Sequence, residues 1–283
     1  MIESDLAIKP SDVAAHYDSL DRFYREIWGE HVHHGFWESG KESTDEAVIH
    51  LSQFLANWLK LERGDRLLDV GCGYGGTARL LAETYQAKVT GFTLSMEQKK
   101  FADEKMVKKG SVEILCQDFL ENTFRPECFD GAISIECLEH IEDKPKAFAE
   151  MFRLLKPGKR MAIAVWSAHE SPNRLQSHML EAICREGRLP SMPSGTEYEQ
   201  LMTDAGFHVV KGREIADQVK KTWAICAKRL AQKVANDASY RKFLMNTEAK
   251  DRIFALTLLR IMAAFEMKAM KYWVFAAEKP LKH

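Results

Sequence analysis

The sequence predicts an α/β fold: a mostly parallel sheet covered by helices on both faces, with a helical segment ahead of it and helical lid insertions late in the chain. Three observations carry this. Short apolar runs alternate with amphipathic stretches from residue 66 to 168, and such alternation implies right-handed crossovers and a sheet buried on both sides. The first apolar run enters a glycine-rich turn that opens a helix, RLLDVGCGYGGTARLLAETY. The chain also has the material for a full core, with 283 residues of which 46% are hydrophobic; chains near this size bury roughly 75% of their unfolded surface.

The elements follow in order. Residues 11–29 carry apolar positions at mixed helical spacing, with Ser11 as the cap. HVHHGFWESGK reads as a loop, and residues 44–61 as an amphipathic helix with Ala47, Leu51, Phe54, Leu55 and Trp58 on its apolar face. After the glycine turn come the strand AKVTGFTLS, the helix SMEQKKFADEKMVKKG and the strands VEILCQDF and CFDGAISIE. A helix from about Lys144 to Leu155 is stopped by KPGK, and RMAIAVWS is the fifth strand. Residues 169–205 are mainly helical with proline-rich joints, FHVVKGREIA is a strand, 218–265 are almost all helical, and AMKYWVFAAEKP closes the chain as a strand.

Charge and composition narrow the function. Forty Lys and Arg against 41 Asp and Glu give a net charge of −1, which argues against a nucleic-acid binder that works by neutralising phosphates. No apolar run approaches the ~20 residues that span a bilayer, and MIESDLAIKPSD lacks the features of a secretory signal. The six cysteines form no CxxC pair and read as reduced thiols of a cytoplasmic protein. His31, His33 and His34 have no carboxylate or cysteine placed in sequence to complete a metal site, so no metal is expected.

The glycine loop LLDVGCGYGG is the strongest signal. Gly71, Gly73 and Gly76 let backbone approach a ligand at a helix N-terminus and satisfy G-x-G-x-x-G. A nicotinamide dinucleotide would want a carboxylate at the end of the second strand. That strand ends Gly91-Phe92-Thr93-Leu94-Ser95, with none. Asp69, ahead of the turn on an apolar strand, needs partners such as loop amides or a cationic ligand.

D-V-G-C-G-x-G-G resembles motif I of class I S-adenosylmethionine (SAM) methyltransferases, with QDF at 117–119 and LLKPG at 154–158 matching later landmarks. TGFTLSMEQ, HVHHGFWE, HYD and ISIECLEHIEDK resemble segments of γ-tocopherol methyltransferases and cyclopropane-fatty-acid synthases. The resemblance implies a Rossmann-like seven-stranded, mostly parallel sheet with an antiparallel last strand. It implies a helical cap over 1–62 that closes on the donor, a SAM-binding core over 63–168, and acceptor-binding lid insertions with the last two strands over 169–283. It also implies SAM as cofactor, released as S-adenosylhomocysteine (SAH), and donor contacts from Tyr17, His33, Phe36, Asp69, Gly71, Gly73, Thr93, Leu94, Gln98, Asp118, Phe119 and Ile135. Gln98 stands in for the missing ribose carboxylate, and Asp118 accepts from the adenine amino group.

Glu136, Glu139 and His140 follow the fourth strand at its carboxyl end, where ligands sit in open α/β sheets. His140 is the first candidate for a general base, because an unperturbed imidazole titrates at about 6.5; the alternative is a cap or a carbonyl bond. On a helical turn Glu136 and His140 share a face, and Glu139 holds the His140 ring. Trp37, Trp223, Phe254, Met262 and Phe265 are acceptor-pocket candidates, against the alternative of plain core. The expected activity is methyl transfer to carbon, oxygen or nitrogen of a hydrophobic or aromatic small molecule of secondary metabolism, by a monomer or homodimer. Rivals are a lipid-modifying enzyme of the cyclopropane-synthase type, a cyclase on the same fold, a nicotinamide oxidoreductase and a non-catalytic binding module.

Overall fold

The computed structural model describes residues 1–246 and 250–281, and it leaves the side chains of Lys250 and Phe254 outside the description. Its main sheet has seven strands in the order β4-β3-β2-β5-β6-β9-β8. These are β2 (Arg66–Val70), β3 (Lys88–Thr93), β4 (Ser111–Cys116), β5 (Phe129–Ile135), β6 (Leu155–Ala168), β8 (His208–Glu214) and β9 (Met270–Glu278). β2, β3, β4, β5 and β6 pair in parallel, whereas β9 runs antiparallel to both β6 and β8. The seven strands read from the sequence are the seven observed, with the last one antiparallel.

Burial explains why these runs form strands. β2 is buried at four successive positions and β5 nearly throughout, as a sheet covered on both faces requires. Helices α3 (Thr44–Leu59) and α4 (Gly76–Tyr85) pack in one buried cluster, and α6 (Lys144–Leu154) and α8 (Gly195–Asp204) contribute Phe148, Met151, Tyr198 and Met202 to the other. Ser43 and Glu46 cap α3 reciprocally, with Ser43 Oγ accepting from Glu46 N at 3.2 Å and Glu46 Oε2 from Ser43 N at 2.8 Å.

Several boundaries differ from expectation. The first helix is α1 (Pro10–Ser19), capped by Lys9 rather than Ser11, because proline is preorganised for the first helical position and lacks the N–H that needs capping. The chain kinks at Leu20 into α2 (Asp21–Ile27). α5 (Met96–Asp103) stops well before Gly110; the remainder, Glu104 to Lys109, offers Met106 to solvent and places lysines where an apolar stripe would be needed. β6 starts at Leu155, so KPGK belongs to the strand, with Gly158 in the left-handed region at φ 77°. A two-stranded sheet of β1 (Ile2–Glu3) and β7 (Ser191–Met192) is new; the proline-rich joint hid it.

The late insertions form a helical layer: α7 (Arg174–Gly187) after β6, then α9 (Ala216–Val219), α10 (Lys221–Asn236), α11 (Ala238–Met245) and α12 (Phe254–Glu266) between β8 and β9. A 3₁₀ turn, Lys250–Ile253, leads into α12. No helix of the described residues is long and apolar enough to cross a membrane.

The turn after β2 is built around Gly71, whose φ is 78°. A Cβ there would lie 2.2 Å from the Cys137 sulfur, so the glycine turn and the end of β5 lock together only without a side chain. Gly71→Ala is expected to lose about 2–4 kcal/mol, from left-handed strain together with overpacking. Chemical denaturation checks this, and an unchanged midpoint refutes it.

Candidate active site

Two cavities meet at the carboxyl ends of β2, β3 and β5. The first, of about 720 Å³, is lined by Tyr17, Gly71, Gly73, Thr93 and Leu94, and by Gln98, Asp118, Phe119 and Ile135. Gly73 adopts φ 53°, and a Cβ built on it meets nothing nearer than Gln98 Nε2 at 4.0 Å, so it would project into the cavity. Thr93 Oγ1 donates to Gln98 Oε1 at 2.6 Å, which fixes the Gln98 amide and turns its NH₂ toward that space. Asp118 Oδ1 caps the next turn by accepting from Leu120 N at 2.9 Å.

A smaller extension of about 320 Å³ shares Gly71 and Gly73 and adds His31, His33, Asp69 and Thr77. His33 Nδ1 donates to the His34 carbonyl at 2.8 Å, so its Nε2 is an acceptor, taken by His31 Nδ1 at 3.2 Å. Burial drives the His31 pKa down to about 3 and lowers that of His33, so both are neutral at pH 7. Asp69 is only 2% exposed, its Oδ2 has no partner, and burial alone pushes its pKa up to about 7. An unpaired buried carboxyl facing a glycine cradle is the environment that a ligand ammonium satisfies. SAM carries an ammonium, ribose hydroxyls and an adenine, and Asp69, Gln98 and Asp118 offer the matching groups in one continuous space.

Phe36 lies off this wall. The Gly35–Trp37 backbone is tied outward: Phe36 N donates to Ala47 O at 2.8 Å, Trp37 N to Gln218 O at 2.9 Å and Gly35 N to Thr222 Oγ1 at 3.0 Å. Phe36 therefore packs on Phe54, and Trp37 donates to the Glu42 carbonyl at 3.1 Å instead of entering a cavity.

The second cavity, of about 760 Å³, shares Tyr17, Val32, Glu136 and His140 with the first and is otherwise lined from the lid. Trp223 is on its wall. Met262 and Phe265 are not: Met262 packs against the core, and Phe265 packs edge-on against His34, ring centres 5.8 Å apart. The side chain of Phe254 falls outside the described residues. Sequence reasoning missed His16, Tyr24, Trp28, Trp166, Glu186 and Asp251, which also line this space. Helical periodicity marks an apolar face without telling whether it meets core or cavity.

The backbone at Glu136 is left-handed, at φ 53°, and the following turn, Leu138–His140, is 3₁₀. Glu136 and His140 therefore do not share a helical face. Glu136 turns toward the sheet: Oε1 accepts from His34 N, His34 Nδ1 and Tyr272 OH at 2.7, 2.9 and 2.7 Å, and Oε2 from Trp166 Nε1 at 2.8 Å. Burial opposes its ionisation, but the electrostatics and hydrogen bonds of His34, with His33 behind it, hold the pKa down at about 2.

His140 Nδ1 donates to the Arg188 carbonyl at 3.0 Å, so Nε2 is the acceptor and takes the Tyr17 hydroxyl at 2.9 Å. Burial lowers its pKa to about 4, leaving a neutral and weakly basic ring. Glu139 does not hold that ring. Its Oε1 accepts from Trp166 N, its Oε2 is buried without a partner, and burial raises its pKa to about 8. Two carboxyls three residues apart thus stand in opposite protonation states at pH 7.

Comparison with known proteins identifies the family. The sequence model of the family described as "Mycolic acid cyclopropane synthetase" matches residues 5–275. The chain is 28% identical to the 27-O-demethylrifamycin SV methyltransferase of Amycolatopsis mediterranei over 275 residues, covering 96% of this chain and 98% of that enzyme. It is 27% identical to the chloroplastic tocopherol O-methyltransferase of Arabidopsis thaliana over 293 aligned positions, 95% of this chain and 82% of that enzyme. Its fold superposes on the cyclopropane synthase MmaA2 from Mycobacterium tuberculosis with a TM-score of 0.84 at 21% identity, covering 98% and 100% of the two chains. The chain belongs to this family and is a SAM-dependent methyltransferase.

Proposed function

We propose that the enzyme methylates an uncharged or cationic aromatic small molecule at a heteroatom or carbon that loses a proton in the reaction. The observation that carries this is the lining of the second cavity. Its wall holds Tyr17, Tyr24, Trp28, Trp166 and Trp223 and the four carboxyls Glu136, Glu139, Glu186 and Asp251, with no Lys or Arg among the described residues. Anionic acceptors such as phosphates would face only like charge there. The tocopherol relative is an O-methyltransferase by name, and the rifamycin relative is named for a 27-O-demethyl substrate, which agrees with an acceptor hydroxyl.

Bound SAM supplies an electrophilic methyl on a sulfonium that leaves as the neutral thioether. Asp69 would take the donor ammonium, Gln98 the ribose and Asp118 the adenine amino group. The glycine turn and Tyr17 would hold the donor beside the junction of the cavities, since in-line displacement depends on alignment. Glu136, ionised throughout the working pH range, sets a negative potential at that junction. Glu139 accepts the acceptor's proton: it lines the acceptor cavity, its Oε2 has no hydrogen-bond partner, and its raised pKa suits a base that must hold the proton afterwards. His140 presents its lone pair to Tyr17 and fixes the phenol at the junction. The ammonium assignment also suits Asp69 electrostatically, because a cation beside it favours the ionised form.

Three outcomes test this. Gly73→Val is expected to weaken SAH binding by about tenfold or more, or 1.4 kcal/mol, measured calorimetrically; unchanged affinity would remove the glycine turn from the donor site. Glu139→Gln is expected to keep SAH affinity and lower turnover by about 10²–10⁴-fold, read by mass spectrometry as gain of one methyl on an aromatic acceptor panel. The active base is the carboxylate, so kcat/KM rises with pH and levels off above about 8. Glu139→Gln abolishes that rise, and a profile that breaks near 4 in the wild type returns the role to His140.

A further inference from the structure

Four consecutive residues of α1 touch three different parts of the site. Asp18 Oδ1 accepts from Ser95 Oγ at 2.5 Å and from Glu97 N at 3.2 Å, seating α1 on the N-terminus of α5 beside Gln98. Tyr17 stands at the junction of the two cavities. His16 and Ser19 reach away to the lid, where both bond one carboxylate: His16 Nδ1 to Asp251 Oδ1 at 3.1 Å, and Ser19 Oγ to Asp251 Oδ2 at 2.7 Å.

Asp251 gathers a further partner. Arg188 Nη2 donates to its Oδ1 at 3.3 Å, and the carbonyl of the same Arg188 holds His140 Nδ1 at 3.0 Å. Burial works against the Asp251 charge, but the bonds from His16 and Ser19 outweigh it and keep the carboxyl below its usual range. Asp251 belongs to the 3₁₀ turn that leads into α12, and α12 supplies Thr257, Leu258 and Ile261 to the acceptor wall.

Residues 13–33 and 135–141 line both cavities, and outside those two segments the cavities draw on separate parts of the chain. Among the described residues nothing beyond Ile141 lines the donor space, and nothing from α5 lines the acceptor space. α1 is bonded to both sides: Tyr17 bonds the shared His140, His16 Nε2 bonds Tyr24 OH at 3.0 Å, and the two α1 bonds to the lid turn ahead of α12 converge on Asp251.

We propose that Asp251 is a positioning residue that couples the donor and acceptor halves of the site through α1. A ligand in the donor cavity restrains Tyr17 and α5, and therefore α1. Asp251 passes that restraint to the turn ahead of α12 and so to the acceptor wall. Donor-loaded enzyme then presents a more ordered acceptor site, and linkage requires the acceptor to tighten donor binding by the same factor. This rests on the assignment of the first cavity to SAM.

Hydrogen exchange on the full chain, with SAH as the probe, tests the coupling without knowledge of the acceptor. In the wild type, saturating SAH is expected to slow exchange in α5 and also in α12, about threefold or more, although α12 lies outside the donor cavity. In Asp251→Ala the slowing persists in α5 and is lost in α12. Arg260→Ala cuts another tie of α12, its 3.0 Å ion pair with Glu186, and leaves Asp251 in place; it retains the SAH-dependent slowing, which separates coupling from loosening of the helix. Should Asp251→Ala fail to fold, Ser19→Ala removes one of the two α1 bonds and is expected to diminish the α12 response. No slowing of α12 in the wild type, or the same slowing in Asp251→Ala or in Ser19→Ala, overturns the proposal. Failure of SAH to bind the wild type, read by calorimetry on the same sample, overturns the donor assignment beneath it instead.

Discussion

The buried carboxylate of Glu136 is the constraint on which the site depends. It ends β5 with a left-handed residue at φ 53°, a conformation that costs a non-glycine residue of the order of 1–3 kcal/mol. That cost is offset because the turn aims the carboxylate at donors from three other segments: the His34 loop, Trp166 on β6 and Tyr272 on β9. Each bond to an ionised acceptor is stronger than a neutral one, and four of them fix the loop against the sheet. Trp223 Nε1 donates to His34 Nε2, extending the chain of bonds to the lid helix α10. With its side chain spent in this way, Glu136 leaves the next turn free to present Glu139 and His140 to the acceptor side.

Glu136 and Glu139 also show how neighbours, at similar burial, set opposite charge states. The adjacent His34, by its electrostatics and its bonds, with His33 behind it, keeps the first ionised near pKa 2, while burial outweighs the backbone bonds to the second and leaves it near 8. Pairs of carboxyls driven apart by their surroundings are where acid and base roles separate. Asp69, with a pKa of about 7, is a third group whose charge follows its ligand. Of these three groups, one is a fixed anion and two are carboxyls that an incoming cation can ionise.

Much of this was legible in the sequence, and the division follows range. β2, β3 and the glycine turn were readable because strand burial and left-handed glycines are local demands. Thr93, Gln98 and Asp118, which line one cavity, were singled out through a motif resemblance, which already encodes distant geometry. What failed was non-local. The bond from Tyr17 to His140 spans 123 positions and that from His16 to Asp251 spans 235, and no periodicity links such residues. Phe36 and Trp37 were misplaced because their backbone is held by Ala47 and Gln218, contacts the aromatic side chains do not announce. The helical expectation for 136–142 assumed ordinary dihedrals where Glu136 takes the rare ones.

Charge is distributed to match that geometry. The chain is nearly neutral, at −1 overall, so a second cavity whose wall carries no Lys or Arg among the described residues reflects placement rather than composition. Arg188 and Arg260 stand behind the wall, bonded to Asp251 and Glu186, which spends much of the charge of those carboxylates on the protein itself. Glu136 and Glu139 have no Lys or Arg among their hydrogen-bond partners. The field left unbalanced is therefore concentrated beside the junction of the cavities. With the first cavity read as the donor site, that field would favour a cationic donor over its neutral product.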